Sequence, residues 1–248
     1  MARPEENESV LDITLKKYPK ESMRKIFNLR IFLATKVKED TTKDAIREYL
    51  KNWIHSDEVD PIVGMSFLYP GSTLHLLQGN SDRMFQFIRA LVADKDKHGM
   101  WPIQVLLQTD NVPPDTIKLY DIAQIDSMKQ DFFSPNAVLE VSIAEVYNAI
   151  LSLCEIYSSL SSSQRQEAMS TNLIRDYFKH LPADFRVLSF AENTDITTLE
   201  EYLEIFDQPL EWTPMFETLW PPQAPHDLAT IEKISEFDSI EQEENPTK

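Results

Sequence analysis

The sequence predicts an α+β fold: a ferredoxin-like sheet (βαββαβ plus one strand) with two helices on one face, followed by a C-terminal helical extension. Two observations carry the sheet. Apolar and amphipathic stretches follow one another in the order strand, helix, strand, strand, helix, strand, strand. Three of the four glycines, Gly64, Gly71 and Gly79, fall within Asp60–Asp82, where two apolar runs flank Pro70-Gly71 in the manner of a hairpin. The extension rests on a third observation: beyond about residue 130 the pattern becomes helical, and from Pro209 to Pro225 it becomes rich in proline and tryptophan.

Residues 1–24 are charged and interrupted by Pro4 and Pro19, which reads as a mobile N-terminal tail. Lys25–Val37 is β-branched and aromatic at near-alternating positions and suits a first strand. Asp40-Thr41-Thr42 then caps a helix, with Asp44 in its first turn. Ala45, Ile46, Tyr49, Leu50, Trp53 and Ile54 form its apolar stripe. Ile62–Tyr69 and Thr73–Leu77 are the hairpin strands, and Asn80-Ser81-Asp82 opens a second amphipathic helix over Met84–Val92 that Gly99 terminates. Pro102–Thr109 and Ile117–Ile125 complete the sheet.

The helical extension starts at Ser134-Pro135, an N-cap followed by proline at the first helical position. An apolar helix runs from there to about Tyr157, suited either to a core or to a dimer surface. A serine cluster separates it from a helix over about Gln164–Leu181, and Arg186–Phe190 reads as strand-like. Thr197–Phe206 reads as a helix, with Thr197 and Glu200 in capping-box spacing. The boundaries that follow are 1–24 for the tail, 25–130 for the sheet domain, 131–208 for the helical extension, and 209–248 for a Pro/Trp-rich arm and acidic tail.

Composition narrows the function. Hydrophobic residues make up 42% and aromatics 10%, enough for a substantial core, and no apolar run reaches membrane-spanning length. Cys154 is the single cysteine, so no internal disulfide or cysteine-rich zinc site forms, and a reducing, cytoplasmic setting is expected. The net charge of −17, from 41 acidic and 24 basic residues, argues against nucleic acid and anionic membranes as partners. With four glycines and neither phosphate-loop pattern present, Walker-type and dinucleotide-fingerprint folds are set aside.

With the hairpin in place, residues 25–126 resemble the BLUF family of flavin-binding blue-light sensors. The resemblance rests on Ile62-Val63-Gly64-Met65-Ser66-Phe67-Leu68-Tyr69-Pro70-Gly71 running to Leu74-His75-Leu76-Leu77-Gln78-Gly79, where turn glycine and closing glycine coincide with the family's pattern. In that family a first-strand tyrosine, a glutamine and an asparagine hydrogen-bond the flavin. By spacing these positions fall here at or next to Phe32, at His75 and near Asp57. A phenylalanine donates no proton, so the resemblance implies a degenerate flavin site, without the light switch and with no FAD or other cofactor. It is nearest to the animal testis-expressed BLUF-like proteins, which implies a structural or adaptor protein of the ciliary or sperm flagellar axoneme. Its expected partners are other axonemal or cytoskeletal proteins, and pairing as a homodimer is compatible with the family.

The residues offer little catalytic chemistry. His75 on the hairpin suits a histidine held in a former cofactor cleft. His55 with Asp57, Glu58 and Asp60 suits a solvated turn better than a metal cluster. Cys154 sits in an apolar stripe beside Glu155, the reverse of what a thiolate nucleophile needs. The expectation is no catalytic and no metal residue, with Trp212, Phe216 and Trp220 of the arm as interaction candidates. Two other readings remain open: a flavin or small-ligand sensor that keeps the cleft, and an acylphosphatase-like hydrolase. The latter needs an arginine in its anion loop that Pro70-Gly71 does not supply.

Overall fold

The computed structural model describes residues 28–54, 60–113, 116–127, 130–170 and 181–207. Strands β1 (Asn28–Val37), β2 (Val63–Leu68), β3 (Ser72–Asn80), β4 (Met100–Thr109) and β5 (Tyr120–Gln124) form one sheet in the order β4-β1-β3-β2-β5. Only the β2–β5 pair is parallel. Helix α1 (Lys43–Ile54) joins β1 to β2, and α2 (Ser81–Ala93) with the short α3 (Lys95–His98) joins β3 to β4. This is the predicted βαββαβ order with its added strand.

Local chemistry explains the joints. Thr42 Oγ1 accepts from the Ala45 N–H at 3.2 Å and caps α1, and Asn80 Oδ1 accepts from the Asp82 N–H at 2.9 Å at the start of α2. Tyr69 N–H donates to the Ser72 carbonyl at 2.9 Å, which closes the hairpin around Pro70-Gly71. Gly99 ends α3 at φ 66°, where a β-carbon would lie 1.9 Å from Thr41 Oγ1.

The sheet is covered on both faces, which is why β1 and β3 are buried along nearly their whole length. One face packs Leu29, Ile31, Leu33 and Leu77 against Ile46 and Leu50 of α1 and Phe87 and Leu91 of α2. The other packs Phe32, Phe67, Leu74 and Leu76 against the extension. There α4 (Leu139–Ser159) buries Ile143, Val146, Ile150 and Cys154, and α6 (Asp184–Ala191) buries Val187 and Phe190. Between them in sequence lies α5 (Ser162–Ser170). The apolar helix of the extension is therefore a core element. Helix α7 (Leu199–Phe206) joins α1 and α2 as a third helix on their face, through Leu199 and Tyr202.

Three expectations change. Ser134-Pro135 opens a turn and α4 begins at Leu139; Ser134 donates from N–H and Oγ to Glu145 instead (3.2 and 2.9 Å). Arg186–Phe190 is helical, because its buried positions Arg186, Val187, Phe190 and Ala191 repeat at i, i+1, i+4 and i+5. The capping box is Thr198 with Glu201, one residue later than the spacing suggested. The Thr197 carbonyl is engaged elsewhere, accepting the Val105 N–H at 2.9 Å along the edge of β4. The chain divides after Asp207, and residues 208–248 lie outside the described residues.

Candidate functional site

Side chains along β3 alternate between the two cores. Leu74 and Leu76 enter the α4 side and Leu77 the α1/α2 side, so His75 faces α1 and α2. It is the centre of a hydrogen-bonded row that crosses four strands. Thr35 Oγ1 on β1 meets Thr73 Oγ1 on β3 at 2.7 Å, and Thr73 Oγ1 meets His75 Nε2 at 2.6 Å. His75 Nδ1 meets Ser66 Oγ on β2 at 2.8 Å, and Ser66 Oγ meets Tyr120 OH on β5 at 2.9 Å. The ladder register aligns the row, since Thr35 pairs with Thr73 and Ser66 with His75.

The row is sealed. His75 is 3% exposed and Ser66 0%, and Thr35 and Thr73 are buried too. Burial first, and His98 nearby second, push the His75 pKa down to about 3, so the ring is neutral. Burial also pushes the Tyr120 phenol up. Ser66 and His75 have the separation of a nucleophile–base pair. Both His75 nitrogens, however, bond only hydroxyls, no carboxylate orients the ring, and Ser66 is closed to any substrate. What the row can do is satisfy its own buried polar atoms and hold four strands in one register.

Phe32 and His75 do not come together. Phe32 faces the other core, is 0% exposed, and meets the Tyr147 ring of α4 edge-on at 5.7 Å. The β1 residue opposite His75 is Leu33, on the same face. Sequence spacing put the first-strand position at or next to Phe32, and on the His75 side the β1 residue is its neighbour Leu33, an alkyl side chain. Two-residue alternation would have revealed this, because Leu33 and Phe32 must point apart. Asp57, His55 and Glu58, and the arm residues Trp212, Phe216 and Trp220, lie outside the described residues.

The helix-side core that His75 faces is rich in aromatic rings. Trp53 of α1 meets Phe87 of α2 edge-on at 5.8 Å, and Tyr49 of α1 lies 4.9 Å from the His98 ring. His98 is itself buried; its Nε2–H donates to the Leu91 carbonyl at 2.8 Å while Nδ1 accepts the Met100 N–H at 3.0 Å. Aromatic side chains of α1 and α2 thus pack together on the face of the sheet that His75 enters.

A second buried cluster was not legible in the sequence. Arg30, 5% exposed, donates from Nε and Nη2 to Gln78 Oε1 at 3.0 and 2.7 Å and from Nη1 to Tyr147 OH at 3.2 Å. Gln78 Nε2 donates onward to the Pro113 carbonyl at 3.0 Å. Tyr69 is fully buried, and Trp101 is half-buried with Lys95 Nζ 4.8 Å from its ring centre. Burial pushes the Cys154 thiol up to about 12, which suits a small apolar packing group. Among the described residues, no three His, Cys, Asp or Glu side chains group as metal ligands.

The fold and these clusters can be set beside known proteins. Among solved structures, a bacterial light-regulated adenylyl cyclase aligns at 14% identity and a TM-score of 0.36, over 52% of this chain and 39% of that one. The photo-activated state of BlsA aligns at 11% identity and 0.34, over 58% and 92%. The BlrP1 BLUF structure aligns at 9% identity and 0.34, over 67% and 90%. No curated protein matches the sequence. The family model of testis-expressed protein 47 matches residues 29–208, from the first strand of the sheet past the end of α7. With its five-stranded α+β sheet, the chain belongs to the testis-expressed protein 47 family.

Proposed function

We propose that this chain is a non-enzymatic structural or adaptor protein, an accessory component of the ciliary or sperm flagellar axoneme in which the BLUF-like sheet serves as a framework. The observation that carries the reading is the sealed row around His75. Where the resembled sensors hold an amide against a flavin, this chain holds a neutral imidazole whose two nitrogens are engaged by Thr73 and Ser66, facing Leu33. That packing supports a domain that binds no flavin. The testis-expressed family and the −17 charge support protein partners in place of nucleic acid or membrane.

Native co-purification tests this. The expected result is a set of axonemal or cytoskeletal proteins recovered with the tagged chain from motile ciliated tissue or sperm, and loss of that set on deleting residues 209–225. Recovery of no such protein would sink the reading. Purified chain should be colourless; flavin absorbance, with fluorescence released on heating, would replace it with a ligand-binding sensor.

A further inference from the structure

The two edges of the sheet are finished differently. Thr197 and Thr198 lie along β4, with Val105 N–H bonded to the Thr197 carbonyl at 2.9 Å and Gln104 bridged to Thr198. Among the described residues, no strand lies along the outer edge of β5. Gly64 N–H bonds the Leu119 carbonyl, and Ile125 N–H the Leu68 carbonyl, so alternation turns the backbone groups of Ile122 and Gln124 away from β2. Asp121 Oδ1 covers the Ile122 N–H at 2.8 Å. Among the described residues the Ile122 carbonyl and the Gln124 N–H have no backbone partner, and that pair of groups is what one residue of an incoming parallel strand uses.

A groove of about 660 Å³ runs along this edge, floored by Asp121, Ile122 and Gln124. Arg47 and Lys51 of α1 form one wall; Tyr157 of α4 and Arg165 of α5 form the other. Lys51 and the Arg165 guanidinium make no hydrogen bond or ion pair among the described residues, and Arg47 has only the exposed Asp44 at 3.3 Å. Of the two carboxylates in the lining, Asp121 is held by the Tyr157 hydroxyl at 2.5 Å and its own strand, and Asp126 lies near Lys43. Three cations with open donors thus face an unpaired strand edge in a chain whose net charge is −17.

We infer that the open edge of β5 binds an acidic, extended segment of a partner protein by strand addition. The spacing fits. Arg47 and Lys51 are four residues apart on a helix, about 6 Å along its axis, and side chains at i and i+2 of a strand are about 6.6 Å apart. Acids at i and i+2 therefore meet the α1 wall, while the acid between them points to the opposite face, toward Arg165. Main-chain bonds to Ile122 and Gln124 supply the docking and the three cations the selectivity. The inference rests on the adaptor reading and names one surface through which it operates.

The test uses the full chain and a blocked, fluorescein-labelled peptide, Thr-Val-Glu-Asp-Glu-Val-Thr, followed by anisotropy. Saturable binding is expected, weakened about tenfold or more by Lys51→Glu and by Arg165→Glu. It should also weaken with added salt, and with N-methylation of the central peptide amide. Both substituted side chains are at the surface, and unchanged thermal unfolding verifies their fold. No binding at millimolar peptide would overturn the inference, as would equal binding of a lysine-for-acid peptide or unchanged affinity in both variants. Full binding of the N-methylated peptide, or displacement by inorganic phosphate beyond that of sodium chloride at equal ionic strength, would reduce the groove to a simple anion site and overturn it too. If the native partners still co-purify while the peptide fails, the groove is wrong and the adaptor reading stands. If the peptide binds and no partner is recovered, the reverse holds.

Discussion

His75 shows how a reactive residue type becomes a packing residue. In the unfolded chain its pKa is near 6.5, and in the fold burial holds it down to about 3. The unfolded state therefore binds the extra proton between those values. The stabilisation is complete above about pH 6.5 and falls, by up to ~1.4 kcal/mol per pH unit, as pH drops toward 3. His98, also depressed by burial, adds in the same direction. Replacing His75 with Gln, which can still bridge Ser66 and Thr73, should flatten the dependence. Urea midpoints at pH 7 and pH 5 should converge relative to the parent, and an unchanged pH slope would show that His75 is not its source. Gly64 sits at φ 140°, where a β-carbon would be 2.0 Å from the Leu76 carbonyl oxygen. Gly64→Ala must move β2 from β3, and a loss of about 2 kcal/mol or more in denaturant unfolding is expected.

At the scale of elements, the decisive one is α4. A helix apolar all round has two ways to bury its surface, against its own sheet or against a second copy. Here Ile143, Val146, Ile150 and Leu153 meet the sheet, while Val141 and Ile156 stay exposed. Ile150→Ala should cost about 2–5 kcal/mol, the range for truncating a filled core position. Val141→Ala should stay within about 0.5 kcal/mol. Equal costs would mean that both faces are buried and that the chain pairs through α4. Helix α7 depends on its own start: Thr198 N–H donates to Glu201 Oε2 at 2.8 Å and Glu201 N–H to Thr198 Oγ1 at 3.2 Å. Thr198→Ala should cost about 1 kcal/mol, read as a lowered melting temperature, with Glu201 as its expected thermodynamic partner in a double-mutant cycle.

For the whole molecule, the extension is the third layer of the domain. Removing residues 131–207 would strip Phe32, Phe67, Tyr69, Leu74 and Leu76 of their cover and leave Arg30 without Tyr147. A chain ending at residue 130 should therefore aggregate or unfold without a cooperative transition, as followed by light scattering and thermal circular dichroism. A soluble, cooperatively folding fragment would show that the sheet needs only the α1/α2 layer.

The succession of strands and helices along the chain, the hairpin and the helix starts at Thr42 and Asn80 were legible because each rests on neighbours within a few residues: alternation, a Pro-Gly turn, a capping side chain. The eight residues of α6 were misread because five positions are too few to separate a period of two from one of 3.6. The site was legible only in part. His75 stood out by type, but its meaning depends on Thr35, Ser66 and Tyr120, 40, 9 and 45 positions away in sequence. Their meeting is a matter of register. Arg30 likewise reads only as a polar residue of the first strand until Gln78 and Tyr147 enclose it. By itself, then, the sequence determined the βαββαβ-plus-one succession of elements and the net charge of −17, set by local pattern and by composition. Tertiary structure decided which face each side chain enters, that α4 is core, and that cations from α1 and α5 line the β5 edge, along which no described strand lies, because those outcomes are set by contacts between residues far apart in the chain.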